Sequence, residues 1–319
     1  MIPHVAHVYW GQDDLPFLRF LTLWSFASLN PHWTIKLHEP EPLADVLEVT
    51  WDTPEHRGAK ASARSYRAWL EAVPNLEVVR HPASRYPEGL SQVHRSDLLR
   101  WEVLATEGGI WSDMDILWGR PMSEVRVLEE CKAFVCAWNQ GGSVAHSGRL
   151  IPLPAHSIGF LGSSPGAYPY EQAWALARRH MKQSAGEHYQ ALGNQLLAQV
   201  CPLGRELPDG TVNLSRHVVY PYSWATIREF LASSKTVSFR PETVGVHWYA
   251  GDPISTHYVA ERVHEDFIDS DKPSGLFAFV RHLLARYPLP RAEALLSAPE
   301  SGILTTRPAP LSSTRADGR

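Results

Sequence analysis

The sequence predicts an α/β fold: a mostly parallel central sheet flanked by helices, then a helical, more irregular C-terminal half. Three observations predict it. Short β-prone runs alternate with helical runs over the first 140 residues, the pattern of strand–helix–strand crossovers. The 319 residues are 44% hydrophobic and 20% charged, which excludes collagen-like and wholly disordered classes and leaves enough apolar surface for a core. No run of about 18 apolar residues occurs. The best candidate, Leu15–Leu29, is interrupted by Arg19, so no membrane-spanning helix is expected.

The elements follow in order. Val5 and His7 to Trp10 form the first expected strand, closed by Gly11. Phe17, Phe20, Leu21, Trp24 and Ala27 recur at helical spacing, and Asn30-Pro31 stops that helix. Thr34–His38 is a short strand, with Glu39–Pro42 as a turn. Ala59–Ala72 is expected to be helical and Leu76–Val79 a strand. Gln92–Thr106 is a helix stopped by Gly108-Gly109, and Ile110–Met114 and Phe134–Trp138 are further strands. Gly141–Pro154 reads as a loop, and Tyr170–Met181 and His188–Val200 as helices. Val218–Tyr220 and Val244–His247 are short strands, and Gly275–Tyr287 is an apolar helix. Residues 299–319 are Ser, Pro, Thr and Arg with few apolar side chains, so a disordered tail is expected. No repeat and no composition break divides residues 1–298, which are read as one domain.

Composition bounds the function classes. Thirty Lys and Arg against 34 Asp and Glu give a net charge of −4, which carries no polyanion-binding signature and weighs against DNA. Arg57–Arg67 and Arg178-Arg179 are basic runs, read as solvated helix faces. Met1-Ile2-Pro3-His4 has no basic region followed by an apolar run, so no signal peptide and a cytoplasmic location are expected. Cys131, Cys136 and Cys201 form no CxxC pair and read as buried reduced thiols. Twelve Trp and 16 His are the unusual feature.

The segment that carries chemistry is Ser96-Asp97-x-x-Arg100 followed by Trp111-x-Asp113-x-Asp115. Asp113 and Asp115 are two apart at a strand end, so on extended backbone they share a face. Strand carboxyl ends are where open α/β sheets bind ligands. Two carboxylates side by side repel unless a cation sits between them, and their oxygens suit Mg²⁺ or Mn²⁺. The bland alternative is a solvated turn. Asp97 and Arg100 share a helix face. They are either a surface ion pair of small value or a pair aimed at sugar hydroxyls.

This run resembles glycosyltransferase family 32 and the catalytic domains of the large glucosylating toxins, which share the GT-A fold. Ile2-Pro3-His4 through Val8-Tyr9-Trp10-Gly11 is similar to the family's opening strand, and Gly159–Gly166 to its segment after the catalytic strand. Val218–Tyr222 with Trp224 is similar to its late Tyr-Pro stretch, and Val246-His247-Trp248-Tyr249-Ala250-Gly251 to its closing His-Trp motif. The resemblance covers roughly residues 1–260. It implies a GT-A-like sheet, a nucleotide-sugar half over about 1–140 and an acceptor half over about 141–298. It implies a metal-dependent, retaining hexosyl transfer from a nucleotide sugar, UDP-glucose first, to an acceptor hydroxyl. The acceptor stays open among a glycan, a protein side chain, a lipid-linked sugar and a hydroxymethylated DNA base.

Residue by residue, the resemblance makes Trp10 the platform for the uracil and places Ser96 near the ribose. It puts Asp97 and Arg100 on the donor sugar, Trp111 along the same face, and Asp113 between ribose and metal. Asp115 becomes the direct metal ligand. His247 is a metal or diphosphate contact, with Trp248 beside it, though a lone His at a strand end is also an ordinary structural residue. The sequence departs from the family at His156-Ser157, at Gly193-Asn194 and at Asp252-Pro253, which puts the transferred sugar and the covering of the diphosphate in doubt. Two other classes fit the same acids: a metal-dependent nucleotide-sugar phosphohydrolase, and a non-catalytic carbohydrate- or nucleotide-binding module.

Overall fold

A computed structural model describes residues 1–43, 64–137, 143–146, 149–152, 156–181, 191–202, 205–208, 210–233, 238–252, 255, 263–265 and 274–290. The first strand, β1 (Val5–Tyr9), runs into α1 (Phe17–Leu29), which starts directly after Pro16 and has no Gly or Pro inside it. Ten of its thirteen residues are buried, so it is a core helix rather than an amphipathic surface one. Asn30 ends it from both sides. Its Nδ2 donates back to the Phe26 carbonyl at 2.9 Å, and its Oδ1 accepts from the Met122 N–H at 2.7 Å.

β2 (Thr34–Glu41) and β3 (Leu76–Pro82) follow, then α2 (Gln92–Thr106), β4 (Gly109–Ser112) and β5 (Ile116–Trp118). Next come β6 (Ala133–Ala137), the hairpin β7 (Ser143–His146) and β8 (Arg149–Pro152), and β9 (His156–Ser163). The chain continues through α3 (Tyr168–His180), α4 (Asn194–Val200), β10 (Thr211–Leu214), α5 (Ile227–Ala232), β11 (Gly245–His247) and α6 (Gly275–Arg286). Seven strands form one sheet in the order β10-β6-β9-β4-β1-β2-β3. Only β9 runs against its neighbours, so the sheet is mostly parallel, as expected. Each face buries its own core. One is built on α1 with β5 and β11, and the other on α2, α3 and α4. Among the described residues no helix is long and apolar enough to cross a membrane.

Several boundaries differ from the sequence reading. Glu39–Pro42 is not a turn up to Glu41: β2 continues and pairs with β3 as far as Glu41 and Pro82. Pro40 is tolerated because the β1 ladder stops at His38, so no partner asks for its missing N–H. The Gly141–Pro154 loop contains the β7–β8 hairpin. The Val218–Tyr220 strand is instead a 3-10 turn, Arg216–Val218, whose cap Ser215 accepts from the His217 N–H. Within Ala59–Ala72, Arg67–Ala72 is 3-10 rather than α, and within His188–Val200 the helix starts at Asn194. Residues 59–63, 188–190, Trp138 and the 299–319 tail lie outside the described residues. β4 stops at Ser112, which leaves Asp113 just beyond the strand end.

Three buried histidines stitch β1, β2 and β3 together. Arg85 donates to His81 Nδ1 (3.1 Å), and His81 Nε2 meets His38 Nδ1 (2.9 Å). His38 Nε2 meets His7 Nδ1 (3.0 Å), and His7 Nε2 reaches the Gly108 carbonyl (2.9 Å). Because a guanidinium only donates, each ring must carry its proton on Nε2, and the chain runs one way from Arg85 to Gly108. Gly108 and Gly109 both have positive φ, and a Cβ on Gly109 would stand 2.4 Å from the Val5 carbonyl oxygen, so this turn admits only glycine.

Candidate active site

The sheet positions the acids through two short connections. Asp113 and Asp115 lie between β4 and β5, and β5 pairs antiparallel with β11 so that Ile116 faces His247. This register sets His247 beside Asp115. The closest ligand atoms of Asp113, Asp115 and His247 all lie within 4.8 Å of one another. Two oxygen donors and one imidazole at that spacing fit a hard divalent cation.

Asp115 is buried among cationic and N–H groups. His247 Nε2 lies 3.2 Å from its Oδ1, the Ala250 N–H donates to its Oδ2 at 2.9 Å, and Arg19 Nη1 is 3.9 Å from Oδ1. Burial alone would raise its pKa, but His247, Arg19 and the Ala250 N–H outweigh that and hold the carboxyl well below its ordinary value. The Tyr249 N–H donates to His247 Nδ1 at 3.2 Å, so Nε2 carries the ring proton and gives it to Asp115. Ion binding through Nε2 has to displace that proton. Tyr249 itself has φ 51, a left-handed conformation for a bulky residue, at the bend that brings the Ala250 N–H onto Asp115.

Asp113 is tied to α2. Its Oδ1 accepts from Trp111 Nε1 at 2.8 Å and from Arg100 Nη2 at 3.1 Å. Arg100 reaches Asp97 Oδ1 with its other arm at 3.1 Å, and its guanidinium lies 4.7 Å over the Trp111 ring. Asp97 and Arg100 are therefore buried rather than a surface ion pair. Asp97 Oδ2 has no hydrogen-bond partner. Burial, with the charge of Asp113 adding to it and Arg100 opposing, pushes the Asp97 carboxyl up to about 7. The sequence makes room for both acids. A Cβ on Gly159 would stand 2.7 Å from Asp113 Oδ2, and one on Gly193 would stand 2.9 Å from Asp97 Oδ2.

The remaining residues singled out by sequence are placed as follows. Ser96 sits half-buried on α2 beside Asp97. Trp111 is 1% exposed and backs Arg100 and Asp113 from inside the core. Trp10 donates from Nε1 to the Asp14 carbonyl, and Trp248 donates its backbone N–H to the Asp115 carbonyl. The guanidinium of Arg19 lies 5.0 Å from each of these two rings. A base stacked on Trp10 must therefore take the opposite face or displace Arg19. Ser157 bonds the Tyr220 hydroxyl at 2.6 Å, and Asn194 opens α4 directly after Gly193. The side chain of His156 is outside the described residues.

Sequence reasoning missed Arg19, Gly159, Gly193 and Tyr220 as parts of this site. Arg19 had a signal: it is the only charged residue in α1.

No protein-family model matches the chain, and no curated protein matches it. Solved structures overlie it distantly. The PaToxG glycosyltransferase matches at 16% identity and TM-score 0.37, covering 62% of this chain and 68% of that one. GlyE, a glycosyltransferase of Streptococcus pneumoniae TIGR4, matches at 10% identity and TM-score 0.45 over 93% of this chain, which spans 63% of GlyE. The galactosyltransferase LgtC, solved with donor and acceptor sugar analogs, matches at 13% identity and TM-score 0.42, over 91% and 98% of the two chains. At TM-scores below 0.5, none of these likenesses assigns a chemistry to this chain.

Proposed function

We propose that this chain is a metal-dependent, retaining hexosyltransferase that moves a sugar from a nucleotide sugar, UDP-glucose first, to an acceptor hydroxyl. The observation that carries the reading is the convergence of Asp113, Asp115 and His247 within 4.8 Å, with the Asp97–Arg100 pair anchored to Asp113. The motif resemblance to glycosyltransferase family 32 supports it from an independent side.

Asp113 and Asp115, with His247, are the residues that would hold Mn²⁺ or Mg²⁺, and that ion supplies Lewis-acid neutralisation of charge on a leaving diphosphate. Arg100 fixes Asp113 and Asp97 relative to each other, so the site is ordered before a donor arrives. Asp97 offers Oδ2 to a sugar hydroxyl, as acceptor when ionised and as donor when protonated. The backbone of Gly159 packs against Asp113 Oδ2 and that of Gly193 against Asp97 Oδ2, where any Cβ would stand within 3 Å. The described residues supply no dedicated nucleophile beside the acids, which fits direct front-face attack by the acceptor hydroxyl. The acceptor is a glycan, a protein or a modified nucleic-acid base.

The test is release of UDP from a panel of UDP-sugars with Mn²⁺, with and without candidate acceptors, and the anomeric configuration of the product by NMR. Transfer that depends on Mn²⁺ and an acceptor, with retention, supports the reading. Hydrolysis that no acceptor accelerates identifies a phosphohydrolase instead, and tight donor binding without turnover identifies a binding module.

A further inference from the structure

We propose that Arg19 is a diphosphate-binding residue of this site, holding the phosphates of a nucleoside diphosphate beside the acid pair. The proposal rests on the nucleotide-sugar reading above and adds a residue to it. Arg19 is the single charge on an otherwise apolar helix, and its side chain is only 18% exposed. Its guanidinium is sandwiched between Trp10 and Trp248, 5.0 Å from each ring. Among the described residues it makes no hydrogen bond, and its nearest carboxylate oxygen, on Asp115, is 3.9 Å away.

A guanidinium carries five N–H donors, and here they have no protein hydrogen-bond acceptor among the described residues, which leaves them to water or to a ligand. Two aromatic faces hold the group in place without using those donors. The other arginine of the site, Arg100, has its charge matched by Asp97 and Asp113 and only 4% of its side chain exposed. An anion entering beside Asp113 and Asp115 meets two negative charges and needs a cation with donors to spare. Arg19 fills that role, with 18% of its side chain exposed against 4% for Arg100, and its planar fork matches paired phosphate oxygens. The two tryptophans keep the guanidinium in place, so less side-chain freedom is lost on binding.

The test compares wild type with Arg19→Met and Arg19→Lys by calorimetric titration of UDP, inorganic pyrophosphate and uridine, each at constant Mn²⁺. Arg19→Met is expected to weaken UDP and pyrophosphate about 10- to 100-fold and leave uridine unchanged, with Arg19→Lys in between. Unchanged UDP and pyrophosphate affinities in a folded Arg19→Met protein overturn the proposal. So does an equal loss of uridine, which marks a packing role against Trp10 and Trp248. If Arg19→Met does not fold, the same comparison is read from Arg19→Lys, where a UDP loss no larger than the uridine loss is overturning. Wild type that binds none of the three probes defeats the nucleotide-sugar reading along with this one. Wild-type binding that neither variant changes defeats only the role of Arg19.

Discussion

At Asp115 three cationic or N–H partners converge on one carboxylate, and its low pKa is the sum of their effects against burial. Asp115→Asn keeps the shape and an oxygen for the Ala250 N–H but removes the charge. Donor turnover is expected to fall about a hundredfold or more in the folded variant, and thermal unfolding to occur at lower temperature because the charge held by His247, Arg19 and the Ala250 N–H is lost. Turnover near wild type that a chelator does not touch would remove Asp115 from the chemistry. Gly193 makes a complementary point, because a methyl there would press on Asp97 Oδ2 at 2.9 Å and on Ile158 Cδ1 at 2.7 Å. Gly193→Ala should cost about 1–3 kcal/mol in urea unfolding and lower donor affinity. An unaltered midpoint would show that α4 yields without strain. The acids, Arg100 and His247 were legible in the sequence through the family resemblance of their motifs rather than from the residues alone. Gly193 and Gly159 were not, since a glycine reveals nothing about the side chain that faces it.

At the scale of elements, α1 shows how a helix end can hold distant chain together. Asn30 caps the Phe26 carbonyl and receives the Met122 N–H, a bond between residues far apart in sequence. Asn30→Ala leaves that buried N–H without its partner and is expected to destabilise the fold by about 1–3 kcal/mol, read as a lower urea midpoint with unchanged slope. A loss near zero would mean that another acceptor takes the Met122 N–H. The helix and its stop were readable from apolar spacing and Asn30-Pro31. Its charged residue was readable as an anomaly, but not its direction, because Trp248 arrives from the far end of the chain. Elements held by their neighbours were misread. β2 runs past its expected end because β3 supplies a ladder there. Val218–Tyr220 was expected as a strand, yet the chain there forms a 3-10 turn, Arg216–Val218, capped by Ser215.

For the whole molecule, the histidine chain across β1, β2 and β3 ties stability to pH. Burial brings His7 and His81 down to about 4 and holds His38 well below its ordinary value, with neighbouring charges contributing less. Above pH 6.5 these rings are neutral in both folded and unfolded chains and cost nothing. As pH falls from 6.5 toward 4 the unfolded chain takes up protons that the folded chain refuses, so stability drops. The expected loss is on the order of 3 kcal/mol each for His7 and His81 by pH 4, measured as urea-unfolding free energy at stepped pH. A flat profile between pH 7 and 5 would show that protons enter the chain without cost. Of the sixteen His that stood out in composition, three form this internal chain and one, His247, lies at the site.

By itself the sequence determined the α/β class and the order of most strands and helices, because apolar periodicity is local. It pointed to Asp97, Arg100, Asp113 and Asp115 through the resemblance of their motif, although Asp113 and Asp115 lie in the turn after β4 rather than on extended strand. Tertiary structure alone decided that Arg19 lies between Trp10 and Trp248 and that three histidines join into one chain, and it gave His247, expected beside the metal acids, its contact with Asp115. Each of those contacts bridges strands or helices remote in sequence. Only sheet order and the β5–β11 register bring them within hydrogen-bonding or stacking range.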